Sequence, residues 1–255
     1  MPMNEIDAAV QALVEARRSG RSATAVTLPD AAAAYAVQAR VAAELGWFSE
    51  GPAASHWKSG GPSRGAEMTH APLPPAGVWN SPADARKRAW PFHFRGVEAE
   101  IALRIVRDVD ATLAATLDVD AARELVDAMC VAIELVDSRW SEGRGAPALA
   151  KLADLQSHGA LVLGPWVPFA ARDWSAQTCA VTIGDAPAQT YRGTHSLDDP
   201  AFVLPGWLRH ATREGACLRA GSVVTTGTWC GLPLAAAGDR VTAEFAGIGR
   251  ASVQL

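Results

Sequence analysis

Two glutamates, Glu98 and Glu100, sit one residue apart in the alternating run Val97-Glu98-Ala99-Glu100-Ile101-Ala102-Leu103. Side chains of a β-strand alternate between faces, so both carboxylates point one way while Val97, Ala99 and Ile101 point to a core. Neighbouring anions on a half-buried face repel, and each loses hydration. A hard divalent cation such as Mg²⁺, which prefers oxygen ligands, relieves both penalties. The same pattern also fits an edge strand carrying two solvated acids.

Three further segments bear on the choice. Glu134 lies in the β-like apolar run Ala132-Ile133-Glu134-Leu135-Val136, where an unpaired carboxylate is costly. It therefore needs either an arginine such as Arg139 or a metal. Together with Glu98 and Glu100 it would make a three-carboxylate site that leaves positions for water or substrate, the usual way of holding Mg²⁺ or Mn²⁺. Lys58 is the only lysine before Lys87 and sits in a Gly-rich segment. Beside a bound cation its ammonium form is disfavoured and its pKa falls towards neutrality, where it can exchange protons; elsewhere it is a solvated loop lysine. Gly221-Ser222-Val223-Val224-Thr225-Thr226-Gly227-Thr228 reads as a strand running into a Gly turn. Its N–H groups and the Thr226 and Thr228 hydroxyls can face a carboxylate, as can Ser59 beside Lys58.

The elements that must position these residues follow an α+β order. Helices are expected over 4–20 and from Pro29-Asp30 to about residue 46, the first with Ile6, Val10, Leu13 and Val14 on one stripe. Residues 51–91 are dense in Gly and Pro and read as a long loop, linker or active-site cover, with a short strand at 55–59. Beyond it a helix is expected over 120–128, capped by Asp118 or Asp120, and another over 200–214. Strands are expected at 97–103, 130–137, 159–166, 179–184, 188–192, 222–226, 240–245 and 251–255. The chain thus divides into a helical N-terminal region, 1–50, and a β-rich catalytic domain, 51–255, packed as one unit.

Composition narrows the function classes. The chain has 255 residues and a net charge of −4, which offers no electrostatic attraction to nucleic acid or an anionic membrane. No apolar run reaches the roughly 18–20 residues of a membrane span, and the acidic start, Asn4-Glu5-Ile6-Asp7, is unlike a signal peptide. Four widely spaced cysteines, Cys130, Cys179, Cys217 and Cys230, form no CxxC pair and fit reduced, buried residues of a cytoplasmic protein. The six histidines show no HxH or HExxH spacing, and no GxSxG elbow, P-loop or dinucleotide fingerprint is present. Nine tryptophans suggest core or interface bulk, and with the apolar composition they favour a homo-oligomer.

In order, His56-Trp57-Lys58-Ser59-Gly60-Gly61, Val97-Glu98-Ala99-Glu100-Ile101-Ala102, Ala132-Ile133-Glu134-Leu135-Val136-Asp137-Ser138-Arg139, Ala153-Asp154 through Gly159-Ala160-Leu161-Val162-Leu163-Gly164, the 218–228 segment and Gly238-Asp239-Arg240-Val241 resemble the fumarylacetoacetate hydrolase superfamily. The likeness is to its 2-keto-4-pentenoate hydratase and 4-oxalocrotonate decarboxylase branch and extends over nearly the whole chain. It implies an α+β fold whose mixed central sheet curls into a roll around the site. It also implies Mg²⁺ or Mn²⁺ on Glu98, Glu100 and Glu134, Lys58 as proton carrier, and Thr228, Thr226 and Ser59 near a small-molecule 2-oxo acid. The implied activity is a hydro-lyase adding water to a short 2-hydroxy-dienoate or 2-oxo-enoate in the catabolism of aromatic ring-cleavage products. A 2-oxo acid decarboxylase is the alternative, and a catalytically weak metal-binding scaffold is the alternative of another class. Two departures stand out. Where the branch carries an aspartate in a Pro-Asp-Tyr-Gly-like segment, this chain has Pro74-Pro75-Ala76-Gly77-Val78, and where it carries Ala-Asp-Asn, this chain has Ala153-Asp154-Leu155. Arg64, Arg139 and Arg144 are candidate anchors for a second substrate carboxylate.

Overall fold

The computed structural model describes residues 4–48, 54–87 and 92–255. Asn4 and Asp30 each open a helix by accepting a hydrogen bond from the backbone N–H three residues on, at 2.8 Å in both cases. The helices α1 (Glu5–Ser19) and α2 (Ala31–Glu44) follow, and α1 stops at Gly20, whose φ of +70° is the left-handed cap that glycine adopts freely.

The Gly- and Pro-rich region expected to be loop carries four short strands, β1 (His56–Gly60), β2 (Thr69–Pro72), β3 (Val78–Asn80) and β4 (Ala83–Asp84). None is long enough to leave a period in the sequence, and each is held by a partner distant in the chain or by a hairpin neighbour. The strand β5 (Gly96–Ile105) leads through α3 (Ala111–Thr116) and α4 (Val119–Arg123) to β6 (Val126–Val136). The helix expected over 120–128 thus ends at Arg123. From Val126 the chain is strand, and Asp127 forms a bidentate pair with Arg104 of β5 at 3.0 and 2.7 Å. Cross-strand pairing overrides local helix propensity here. The remaining elements are α5 (Ala148–Ala153), β7 (His158–Leu163), β8 (Val167–Pro168), β9 (Thr178–Ile183), β10 (Gln189–Arg192), α6 (Leu204–Ala211), β11 (Val223–Thr225), β12 (Arg240–Phe245) and β13 (Gly249–Gln254). The helix expected over 200–214 is α6 with a 3₁₀ turn at each end. At six residues each, α3 and α5 were too short to be foreseen.

The strands form two sheets. The larger runs β2-β1-β11-β5-β6-β7-β3 with β8 on β6, and it is mixed: β1 pairs β11 and β3 pairs β7 in parallel, the rest antiparallel. The smaller runs β10-β9-β12-β13-β4. Val97, Ile101, Leu103 and Ile133 of the larger sheet share a core with Val241, Ala243, Phe245 and Val253 of the smaller. Alternation sends Glu98, Glu100 and Ala102 of β5, and Cys130, Ala132 and Glu134 of β6, to the opposite face. There Ala102, Cys130 and Ala132 join Leu73 and Val223 in a smaller apolar cluster, which leaves the carboxylates at one end. The tryptophans are mainly interior: Trp57, Trp79, Trp140, Trp174, Trp207 and Trp229 are all buried. Their number is therefore accounted for by the fold of a single chain.

α1 and α2 close on Trp140, Ala150 and Leu152, forming an apolar cluster that draws on residues from both sides of position 50. A buried ion cluster ties this layer to the sheet. Asp154 accepts from Arg139 Nε at 2.7 Å, from Arg139 N at 2.9 Å and from Arg17 at 3.1 Å, while Arg139 also donates to the Asp137 and His158 carbonyls. Arg139, a sequence candidate to neutralise Glu134 or to anchor substrate, is 5% exposed and spent on Asp154. Among the described residues no helix is long and apolar enough to cross a membrane. Removal of Asp154 leaves two buried guanidinium groups uncompensated, so Asp154→Ala is expected to lower stability by about 3–5 kcal/mol in urea unfolding.

Candidate metal centre

The antiparallel register of β5 and β6 sets Glu98 directly opposite Glu134, with Glu100 one step along the same face. One oxygen from each of the three lies within 4.8 Å of the others. Glu100 is 2% and Glu134 0% exposed, and Glu98 is half-buried. Like charges in register across strands are destabilising, and the neighbouring elements compensate for them. Lys58 enters from β1, which reaches β5 through β11, with Lys58 beside Thr225 and Thr225 beside Ala102. Its Nζ donates to Glu134 Oε1 at 2.6 Å and to the Gln156 carbonyl at 3.3 Å. From β7, His158 Nδ1 lies 2.9 Å from the same Glu134 oxygen. An ionised carboxylate only accepts, so Nδ1 carries the proton. The Gly227 N–H donates to Glu100 Oε2 at 2.8 Å. It can do so because Gly227 sits at φ +112°, a conformation that side chains disfavour.

These contacts separate the three acids electrostatically. Burial pushes Glu98 well above the ordinary carboxylate range; the neighbouring acids add to the shift and Lys58 only partly offsets it. Burial, followed by the charge of Glu134, raises Glu100 to about 7 against the pull of Lys58 and the Gly227 N–H. Glu134 is also penalised by burial, yet Lys58 and His158 outweigh that and hold it below its usual value. The Lys58 ammonium is favoured in turn: burial lowers its pKa, but Glu134, Glu98 and Glu100 together raise it above the ordinary value. The fall expected for Lys58 beside a cation is thus reversed when the carboxylates face it alone. Burial lowers the pKa of His158, which is consistent with a neutral ring.

The donor set fits a hard divalent cation. Lys58 and His158 both engage Oε1 of Glu134, while its Oε2 is buried without a hydrogen-bond partner. An anionic oxygen left in this way is costly. With oxygens from Glu98 and Glu100 close by, a cation would satisfy all three. Glu98, Glu100 and Glu134 are the group of metal-ligating side chains found among the described residues.

A cavity of about 390 Å³ opens over these acids, lined by Lys58, Glu98, Glu100, Gln156, Thr225 and Thr228 among others. The other residues foreseen from sequence are placed differently. Thr228 borders the cavity, but its hydroxyl donates to the Gly231 carbonyl at 2.8 Å and holds the turn. Thr226 is buried and donates to the Ile101 carbonyl at 2.8 Å, while its own carbonyl meets His195 Nε2 at 2.8 Å, so it braces the strand end. Ser59 is also buried, its hydroxyl 2.9 Å from His70 Nδ1. Ser59 nevertheless lines the cavity next to Lys58, and alternation gives the adjoining wall to Thr225 rather than Thr226. Arg64 pairs with Asp198 at 3.3 Å and donates to the Leu197 carbonyl at 2.7 Å. His158, Gln156 and the Gly227 N–H were not anticipated. Gln156 is the middle of three consecutive left-handed residues, Leu155, Gln156 and Ser157, with φ of 53–58°. This costly conformation for non-glycine residues brings an amide to the cavity despite Leu155 at the family's amide position. The stretch Pro74–Val78 contributes no acid, and among the described residues the acids that act on Lys58 are Glu134, Glu98 and Glu100.

Because burial raises the proton affinity of Glu98 and brings that of Glu100 to about 7, binding of a divalent cation must displace protons from them. Affinity is therefore expected to rise with pH through about 7 for Glu100, by up to about tenfold per pH unit for each proton released. Mn²⁺ titrations followed by electron paramagnetic resonance at pH 6 and 8 check the sign, and Glu100→Ala should abolish tight binding at both.

A family model for the fumarylacetoacetate (FAA) hydrolase C-terminal region matches residues 54–255. The 2-hydroxyhexa-2,4-dienoate hydratase of Comamonas testosteroni is 31% identical over 160 residues, which are 62% of this chain and 59% of that protein. The 4-oxalocrotonate decarboxylase of Pseudomonas putida G7, complexed with magnesium and adipate, superposes with a TM-score of 0.82 at 17% identity, covering 100% of this chain and 98% of that one. Fumarylpyruvate hydrolase from Pseudomonas aeruginosa, in complex with Mn²⁺ and pyruvate, superposes with a TM-score of 0.54 at 16% identity over 78% of this chain and 88% of that one. The curled mixed sheet foreseen from sequence is the fold these structures share with it. With the family model spanning β1 to the last residue, the chain belongs to the fumarylacetoacetate hydrolase family.

Proposed function

We propose that the protein is a divalent-metal-dependent lyase acting on a short 2-hydroxy-dienoic or 2-oxo-enoic acid, adding water to give a 4-hydroxy-2-oxo acid. The observation that carries this reading is the convergence of three carboxylates within 4.8 Å of one another, with a lysine ammonium 2.6 Å from one of them, under an open cavity. The hydratase and decarboxylase named among its relatives support it. Glu98, Glu100 and Glu134 would hold Mg²⁺ or Mn²⁺, which when bound supplies a Lewis acid and template for the carboxylate and 2-oxo group of such a substrate.

The remaining chemistry falls to the chain. Tautomerisation of a 2-hydroxy-2,4-dienoate removes the proton of the 2-hydroxyl and places one on C5. Lys58 lies at the cavity wall and can carry such protons, its amine accepting and its ammonium returning them. Neutralisation of the three acids by a cation removes the charges that favour its ammonium form, which brings exchange nearer to neutral pH. Water then adds across C3 and C4, with oxygen to C4 and hydrogen to C3. Thr225 and Gln156 offer polar side chains on the wall, and Gly227 holds Glu100 in place through its N–H.

One observation favours a second reading, decarboxylation. Among the described residues the carboxylates acting on Lys58 are the three candidate ligands themselves, so no further acid is seen beside it to serve as a base for water. Loss of CO₂ from the far end of a 2-oxo-3-enedioate needs none, because the bonding pair to that carboxyl passes through the C3–C4 double bond into the 2-oxo oxygen, and a proton from Lys58 completes the 2-hydroxy-2,4-dienoate. Ultraviolet absorbance of 2-hydroxypenta-2,4-dienoate with Mg²⁺ separates the two from CO₂ release by 4-oxalocrotonate. The expected result is Mg²⁺-dependent loss of the dienoate absorbance, reduced by about 10²–10⁴-fold in Lys58→Met with Mn²⁺ still bound. Folded, metal-binding protein that turns over neither compound would overturn the enzyme reading and leave a metal-binding scaffold.

A further inference from the structure

The peptide unit between Thr226 and Gly227 is held at both edges. Its N–H donates to Glu100 Oε2 at 2.8 Å, and its carbonyl oxygen lies 2.8 Å from Nε2 of His195. A peptide unit is planar, with a barrier of about 18–20 kcal/mol to rotation about its C–N bond. Fixing the carbonyl therefore fixes the direction of the N–H on the opposite edge. From this arrangement we propose that His195 is a positioning residue for the metal centre, acting on Glu100 through the one peptide unit between them. The inference rests on the reading of Glu100 as a metal ligand and adds to it a residue that orients that ligand.

Three observations support the assignment. His195 is buried, and burial is the main cause that lowers its pKa to about 4. The ring is therefore neutral at pH 7 and carries one proton. Leu197 N donates to its Nδ1 at 3.3 Å, so the proton is on Nε2 and faces the Thr226 carbonyl. Second, the turn that bears the ring is fastened separately from β11. Asp198 N donates to the His195 carbonyl at 3.0 Å, Ser196 Oγ to the Gly61 carbonyl at 3.0 Å and Arg64 Nε to the Leu197 carbonyl at 2.7 Å. These bonds tie the turn to the segment just after β1, the strand that carries Lys58. Third, Gly227 has no side chain to restrict its backbone, and its φ of +112° is one of many values open to glycine. The direction of its N–H is thus set from outside, by Glu100 on one edge of the peptide and His195 on the other. Hydrogen bonds in series polarise one another, so the Nε2–H bond also strengthens the Gly227 N–H as a donor to an anionic carboxylate.

Thr226-Gly227 is the only Thr-Gly pair in the chain. With carbonyl-¹³C threonine and ¹⁵N glycine, a single amide signal therefore reports both edges of this peptide unit. The test uses the full chain as wild type, His195→Phe and His195→Gln. Phenylalanine keeps a ring against Trp229, whose centroid lies 5.5 Å from that of His195, but supplies neither nitrogen. Glutamine keeps an N–H donor at the reach of Nε2. In His195→Phe the Thr226 carbonyl and Gly227 amide-proton resonances are both expected to move upfield. Mn²⁺ affinity, read by electron paramagnetic resonance, is expected to fall about tenfold or more, as for other groups that orient a metal ligand. His195→Gln is expected to recover most of both effects. Unchanged Mn²⁺ affinity in folded His195→Phe would overturn the proposal and leave His195 a packing residue. An equal loss in both variants would overturn it in favour of the ring's shape. Wild type supplies a check that needs no variant to fold: the Gly227 amide borders the cavity yet is expected to exchange slowly with D₂O, and rapid exchange would overturn the proposal. Wild type that binds no Mn²⁺ would overturn the metal reading along with it, whereas loss of the His195 effect alone leaves that reading intact.

Discussion

The apposition of Glu98 and Glu134 across β5 and β6, with Glu100 beside them, is the constraint around which the surrounding structure is arranged. Three carboxylates in register on a buried face are unstable in isolation. Each neighbouring element supplies a partial remedy: an ammonium from β1, an imidazole N–H from β7, a backbone N–H from the turn after β11. The remedies are unequal. Two fall on one oxygen of Glu134 and none on its other oxygen, while Glu98 and Glu100 stay reluctant to ionise. A site tuned in this way holds a lysine and a cation in competition for the same negative charge. A cation that claimed this charge would release Lys58 from its role as anchor of Glu134.

The two-sheet architecture explains how so much charge is tolerated. One face of β5 and β6 is committed to the core with the smaller sheet, which fixes their register, since a slip of one residue would turn Glu98, Glu100 and Glu134 into that core. The apolar cluster around Ala102, Cys130 and Ala132 closes the other end of the same face. The Asp154 ion cluster then binds α1 and the segment before β7 to the end of β6. Gln156 and His158, both within four residues of Asp154, are held by the same local structure that carries them to the site.

The legible parts of the sequence were those in which a regular period coincides with chemistry. Alternation in β5 gave away the Glu98 and Glu100 pair and the face opposite to it, the stripe of Ile6, Val10, Leu13 and Val14 marked α1, and Pro29-Asp30 marked the start of α2. Regions with no period were misread. β1 was foreseen as a short strand at 55–59, but β2, β3 and β4 looked like loop because each is too short to alternate visibly. The Thr226 hydroxyl, expected at the Gly turn to meet a carboxylate, is committed to the Ile101 carbonyl, whereas Ser59 lines the cavity with its hydroxyl against His70. Arg139 illustrates the opposite error: five residues from Glu134 in the chain, it is nevertheless committed to Asp154.

Local pattern was enough to single out the three carboxylates, the lysine and the α+β order, because carboxylates in apolar strands announce an unmet electrostatic need wherever they fold. Which groups answer that need is a property of pairing between strands far apart in the chain, and no local pattern encodes it. Register alone sets Glu98 against Glu134, brings Lys58 beside Thr225 and delivers His158 and Gln156 from a segment whose left-handed backbone has no sequence signature.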